Sequence, residues 1–332
     1  MSSRSLSSLS TPARATPARA TPAPAAASLA TESFTISPRG PFSLAEAASF
    51  GFGQREAQET GGVMRLAFCL DGYAGQAGVE VRQDAAGDVH GTAYLPPGTD
   101  PAAVRDQVAR VLSLDHDASE FVRVGERDPV IGRLQAAAPG LRPPLFYSPY
   151  EAAAWSVLSA RRPARQMMQV RALLSEAHGR VFDLADQRLA AFPTPGRLLR
   201  VESFPGIGPD KIGRLHGVAR AALEGRLDVS ALQHLGPEAA MTELQSLHGI
   251  GPFYSALIVI RGTGFTDVLP VSEPRALALT AQLYGLDEPP SEAQFSALAE
   301  PWRPFRTWAV VLIRAAANRI LSRDLAVPAP VG

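Results

Sequence analysis

The chain has 332 residues, 46% of them hydrophobic and 19% charged, with one cysteine and no net charge. That length suggests two domains at roughly 150 residues each, with enough apolar side chains for a full core. A lone Cys69 excludes an internal disulfide, and also a four-thiolate zinc site or iron–sulfur cluster built from this chain alone.

The neutral total is unevenly spread. Residues 1–33 hold Arg4, Arg14 and Arg19 against Glu32, residues 34–140 hold 9 basic and 14 acidic side chains, and residues 141–332 hold 20 and 17. A polyanion-binding surface would therefore belong to the last stretch. Of 32 basic residues only Lys211 is lysine, which removes almost every candidate for Schiff-base chemistry. No run of 18 apolar residues occurs, which argues against a membrane-spanning helix.

Residues 1–33 are rich in Ser, Ala, Thr, Pro and Arg, with a TPARA-TPARA-TPAPA tandem over residues 11–25. Such a stretch buries too little apolar surface to offset its ordering entropy and reads as a disordered tail. Its basic character also mimics an organellar transit peptide, without the apolar core of a secretion signal. Residues 34–125 read as a small β-rich domain with connecting helices. Residues 63–70 (VMRLAFCL), 78–83 and 89–95 are strand-like runs between Gly and Asp turns, and residues 43–50 fit one helix. From Asp100-Pro101, an N-cap followed by proline at the first helical position, helical periodicity takes over. It fits residues 101–114, 129–138, 149–159, 166–178, 195–202, 209–224, 229–235, 238–247, 253–261, 274–284, 291–300 and 304–324. Residues 126–332 thus form a helical domain within the usual size range.

The most informative segment is Leu247-His248-Gly249-Ile250-Gly251-Pro252-Phe253-Tyr254-Ser255, between two helical patterns. Two glycines flanking an aliphatic residue permit a tight turn in which backbone can approach a ligand without Cβ interference. A helix starting at Pro252 or Phe253 would aim its free N–H groups outward with them, an arrangement suited to phosphate. The bland alternative is an ordinary turn between packed helices. A second copy, Phe204-Pro205-Gly206-Ile207-Gly208-Pro209-Asp210-Lys211, reads as such a bend, with Lys211 in the following helix.

After the first copy come a helix and Asp267-Val268-Leu269-Pro270-Val271-Ser272-Glu273-Pro274. Here the chain resembles the helix-hairpin-helix (HhH-GPD) DNA glycosylases, in the 3-methyladenine DNA glycosylase II branch, whose pattern is L-x-G-I-G-P, a helix, then D-V-(F/L)-P-x-x-D. Residues 128–151, 192–195, 222–227 and 302–307 resemble further family segments in family order, and residues 34–94 fit its small β domain more loosely. The resemblance implies an α+β fold: mostly α-helical, with two helical subdomains around a cleft and a small N-terminal antiparallel β domain. It implies a monofunctional base-excision repair glycosylase acting on double-stranded DNA that carries damaged, alkylated bases. No cofactor, metal or membrane is implied, and the protein would act as a monomer.

Breaking an N-glycosidic bond passes through an oxocarbenium-like state that a carboxylate beside the sugar stabilises. The base must first leave the stack, which calls for a phosphate grip, a gap-filling side chain and a pocket. By resemblance Glu273 takes the place of the catalytic Asp, with one methylene more. Its alternative role is a helix cap. Asp267 matches an earlier, structural Asp of the family and is the fallback carboxylate. Leu247, Gly249, Ile250, Gly251, Phe253 and Ser255 would contact DNA, with Phe253 either pocket wall or helix core. No lysine stands at the hairpin position of the family's strand-cleaving members, so water rather than a Schiff base would complete the reaction. Arg161 and Arg162 occupy the loop where relatives carry a wedge, and would enter the gap, clamp phosphate or simply be solvated. Arg314 stands where a pocket tryptophan is usual, and a cation there disfavours a positively charged alkylated purine. Trp302 and Trp308 read as core, and His248 as an exposed turn residue. No His/Cys/Asp cluster has metal-ligand spacing. The arginine-heavy composition points to a GC-rich bacterial genome, hence cytoplasm and nucleoid. Two rivals remain: a catalytically silent relative that binds damaged DNA, and a helical protein–protein adaptor without salt-dependent DNA affinity.

Overall fold

A computed structural model describes residues 29–50 and 62–324. The tail expected over residues 1–33 lies outside them as far as residue 28. Residues 30–33 are a correction: they open strand β1 (Ala30–Ile36), which pairs along its whole length with β4 (Val89–Leu95), from Ala30 opposite Leu95 to Ile36 opposite Val89. Thr31, Phe34, Thr35 and Ile36 suit a pleated surface, a local signal that the polar composition of the preceding stretch masks. Between them come α1 (Leu44–Ser49), β2 (Met64–Cys69) and β3 (Gln76–Gln83). The four strands form one antiparallel sheet in the order β1-β4-β3-β2.

The chain then runs through α2 (Pro101–Val111), α3 (Ser119–Arg127), α4 (Pro129–Ala137), α5 (Pro149–Ser159) and α6 (Ala164–His178). A hairpin, β5 (Val181–Leu184) and β6 (Gln187–Ala190), leads to α7 (Pro195–Leu198), α8 (Pro209–Leu223), α9 (Val229–Leu235), α10 (Pro237–Gln245) and α11 (Pro252–Gly262). The last elements are α12 (Pro274–Tyr284), α13 (Glu292–Leu298), a short 3-10 turn (Glu300–Trp302) and α14 (Arg306–Asp324). Proline at the first helical turn opens most of these helices, where its missing N–H costs nothing. Asp100, Asp128 and Ser148 add side-chain caps to α2, α4 and α5.

Strand β2 is buried along its full length because both of its faces are covered. Leu66 and Phe68 pack with Val104 and Val108 of α2, and Ala67 packs with Phe182 and Leu184 of the β5–β6 hairpin. Buried polar bonds then lock the sheet to the helices. The Cys69 N–H donates to Glu151 Oε1 (3.0 Å), Arg171 donates to Glu151 Oε2 (2.7 Å), and Gln76 donates to the Phe192 carbonyl (2.6 Å).

The helices gather around two cores. One, from α5, α6, α8 and α11, includes Tyr150, Trp155, Leu215 and Ile258. The other, from α3, α4, α12 and α14, includes Ile131, Leu134, Trp302 and Ile313. The chain of the first core lies between the two halves of the second, and α11 of the first core shares a cavity with residues 270–273 and with α14 of the second. Within the second core Asp128 accepts from the Trp302 indole (2.7 Å) and from the Tyr284 hydroxyl (2.5 Å), and burial with that bond raises the Tyr284 phenol well above its usual range. Trp302 and Trp308 are core, as expected. No helix among the described residues is long and apolar enough to cross a membrane.

Candidate functional site

The turn between α10 and α11 is built as its glycines require. Gly249 has φ +96, and a Cβ there would lie 3.0 Å from Arg214 Cδ. Leu247 and Ile250 are buried and anchor the turn in the first core, and the Ile250 N–H donates to the Leu247 carbonyl (3.0 Å). Gly251 caps α11 without a side chain, with open space where its Cβ would stand. Pro252 has no N–H, so the Phe253 and Tyr254 amides of the first turn are the ones left without intrahelical acceptors. The dipole of α11 adds partial positive charge at the same point. Ser255, expected at a DNA contact, is turned inward instead: it is fully buried and its hydroxyl donates to the Pro252 carbonyl (3.0 Å).

This turn forms one wall of an open groove of about 790 Å³. Four cations complete it: Arg161, Arg162, Lys211 and Arg214. All four lie in the carboxy-terminal stretch that carries the basic excess. Arg161 is exposed at the tip of the α5–α6 loop with φ +56, a left-handed conformation that costs a non-glycine residue about 1–2 kcal/mol. Lys211 holds that loop from below, its ammonium donating to the carbonyls of Leu158 (2.5 Å) and Ala160 (3.0 Å). Burial, then Arg162 and Arg214, draws its pKa below the usual lysine value. The Arg214 Nε is buried with no hydrogen-bond partner among the described residues.

The second glycine motif is therefore more than a bend. It does pack as one, with Gly206 at φ +84 against Val170 and Gly208 capping α8. The first two turns of α8, however, deliver Lys211 and Arg214 to the groove. Sequence reasoning passed over Arg214 because nothing local marks an arginine in the second turn of a helix as facing another loop.

A smaller cavity of about 90 Å³ lies on the other side of the first turn of α11. Tyr254 lines the groove while its neighbour Phe253 lines the cavity, the two rings meeting edge to face at 5.3 Å. Phe253 is 55% exposed, so it is pocket rim rather than helix core. Leu257, Ile260, Val310 and Val311 supply apolar walls, and Glu273 and Arg314 supply charge at the rim. Arg261 also borders the cavity, but its guanidinium is buried and donates to the Pro144 carbonyl.

Glu273 does two things at once. Its Oε2 accepts from the Ala276 N–H (2.6 Å), capping α12, and its Oε1 lies 3.3 Å from an Arg314 guanidinium nitrogen. While capping α12, Glu273 is also one of the cavity's lining residues. Asp267 is placed differently, which corrects its standing as a fallback. It is held by Arg303 (2.8 Å) and by the Arg306 side chain (2.8 and 3.1 Å), fastening the start of α14, and it is not among the cavity's lining residues. Two arginines already fill its acceptor positions.

The fold is similar to that of DNA glycosylases of known structure. The sequence resembles DNA-3-methyladenine glycosylase 2 of Escherichia coli, with 28% identity over 187 residues, 55% of this chain and 63% of that protein. The match thus spans under two thirds of that relative's length. In fold the chain resembles a 3-methyladenine DNA-glycosylase from Archaeoglobus fulgidus (TM-score 0.71, 20% identity, covering 87% of this chain and 99% of that one). It also resembles an 8-oxoguanine glycosylase/lyase from Clostridium acetobutylicum (TM-score 0.59, 17% identity, covering 87% and 97%). No family model matches the chain.

Proposed function

We propose that the protein is a monofunctional DNA glycosylase of base-excision repair, hydrolysing the N-glycosidic bond of a damaged, alkylated base flipped out of duplex DNA. The observation that carries the reading is the sharing of one small cavity by Glu273, Phe253 and Arg314, one residue along α11 from a cationic groove. The amides of residues 249–254 and the four cations grip one strand through its phosphates. Arg161, at the loop tip, enters the gap left by the flipped nucleotide, with Arg162 on the flanking phosphate. Glu273 faces the deoxyribose, offsets the positive charge that grows as the bond breaks, and orients water.

Water is the nucleophile because the one lysine is engaged elsewhere. Lys211 lines the groove, not the cavity, and its ammonium is bonded to two carbonyls. The protein acts as a monomer on nucleoid DNA. Incubation with duplex DNA treated with a methylating agent, followed by chromatography of released bases and gel analysis of the strands, tests the reading. Free methylated base with abasic sites but no strand scission is expected. Salt-dependent binding without any release would mean a silent damage-binding protein, and no DNA affinity at all would leave only the adaptor.

A further inference from the structure

We propose that Arg314 makes this pocket selective for damaged bases that are neutral in DNA and depart as anions, over alkylated purines that are cationic in DNA and depart neutral. The inference rests on the glycosylase reading and ranks its substrates: cationic alkylated purines are still released, without help from Arg314 and more slowly than neutral bases. Its basis is the juxtaposition of Arg314 and Glu273, 3.3 Å apart, at the rim of a largely apolar cavity. The third charge beside it, Arg261, is already committed to the Pro144 carbonyl.

When the C1′–N bond breaks, its electron pair goes to the base and the sugar is left positive. A neutral base therefore becomes an anion, with its charge spread over ring nitrogens and carbonyl oxygens. Water adds its oxygen to C1′, and its proton passes to the Glu273 carboxylate and from there to the departed base. Charge separation thus runs from sugar to base, and the cavity presents a fixed negative group and a fixed positive group for its two ends. The guanidinium is planar, permanently charged and able to donate two parallel bonds to a carbonyl edge. Preorganised charge of this kind acts on the bond-breaking state more than on the bound base. A base that enters already positive meets the same guanidinium as repulsion and gains nothing from it on leaving.

The cavity's size adds a second observation. At about 90 Å³ it is well below the roughly 300 Å³ of the smallest ordinary ligand pockets. Occupancy requires its rim to move, and its exposed lining residues are Phe253 and Arg314, 55% and 38% exposed, together with Ser272. A neutral base with carbonyl acceptors compensates Arg314 for leaving Glu273, whereas in a cationic base the net positive charge offsets what its carbonyl offers.

The test uses the full chain in single-turnover release from duplexes carrying one hypoxanthine or one 7-methylguanine. These share a ring carbonyl and differ in charge. Because their intrinsic labilities differ, the readout is the change each shows between wild type, Arg314→Leu and Arg314→Lys. Arg314→Leu is expected to slow hypoxanthine release about tenfold or more, after discounting for the guanidinium's partial exposure, and to speed 7-methylguanine release. Arg314→Lys is expected to retain most of the hypoxanthine rate. Equal slowing of both bases would mean that Arg314 merely supports Glu273, overturning the inference. Wild-type release of 7-methylguanine without hypoxanthine would overturn it while leaving the glycosylase reading intact, and release of neither would end both.

Discussion

Replacing Glu273 by Gln separates the carboxylate's two tasks. The amide keeps an oxygen for the Ala276 N–H, so the cap on α12 survives. What disappears is the charge. Its loss from a partly exposed ion pair with Arg314 costs about 0–1 kcal/mol of stability, and its loss from the helix N-terminus about 0.3–1 kcal/mol. On the proposed reading, the same charge opposes a developing cation in the bond-breaking state within a largely apolar cavity, where one well-placed electrostatic group supplies about 100- to 1000-fold in rate. Glu273→Gln should thus lower single-turnover release by two to three orders of magnitude with less than about 2 kcal/mol lost in urea unfolding. Glu273→Ala should be as slow and lose a further 0.5–2 kcal/mol or so with the cap. If the Glu273→Gln protein releases base at a rate close to that of wild type, Glu273 is a cap and nothing more.

Three other expectations follow from the groove and the core. Lys211→Met removes two charge-assisted bonds to the α5–α6 loop and should cost about 1–3 kcal/mol. Its DNA binding, followed by anisotropy over a salt series, should weaken with a slope shallower by up to about one; unchanged stability and slope would remove Lys211 from the groove. Arg161→Gly relieves a left-handed backbone, so thermal unfolding should show stability unchanged or raised by about 1 kcal/mol while DNA affinity falls; a clear loss of stability would contradict the strain argument. Burial, reinforced by Glu151, pushes the Cys69 thiol well above its usual range, so the native protein should resist thiol-specific reagents at about pH 8 and react only on unfolding. Rapid stoichiometric labelling would show that the sheet–helix junction opens freely.

Much of the fold can be read from the chain because its helices announce themselves with proline at the start and, in several, an oxygen-bearing cap before it. The bounds of α5 (Pro149–Ser159), α9 (Val229–Leu235) and α12 (Pro274–Tyr284) coincide with the periodic runs. Helix α3 (Ser119–Arg127) lacks these marks: Ala118 caps it without a side-chain bond, and only Phe121 and Val124 are buried. The β5–β6 hairpin escapes notice because Ala185 and Asp186, at φ +41 and +64, fill a turn where glycine or asparagine is the usual signal. The predicted helix over residues 195–202 shrinks to Pro195–Leu198. At the site, the glycine turn is legible from its residues, whereas Glu273 is singled out only by the family resemblance. The ion pair of Glu273 with Arg314, the engagement of Asp267 and the inward turn of Ser255 depend on how the folded segments meet, which no local pattern encodes.

Asp128 shows what such long-range contacts imply for anyone mapping function by mutation. Its carboxylate fastens Tyr284, the last residue of α12, while Glu273 sits at the opposite end of that helix, about 16 Å away for eleven residues at 1.5 Å each. A rigid rod turns a small release at one tip into a displacement at the other. A survey scoring lost activity would therefore rank Asp128 beside the cavity residues, although it lines neither the groove nor the cavity. The two kinds of defect part company in their remedy: a misaligned rod is restored by stabilising conditions, a missing charge is not.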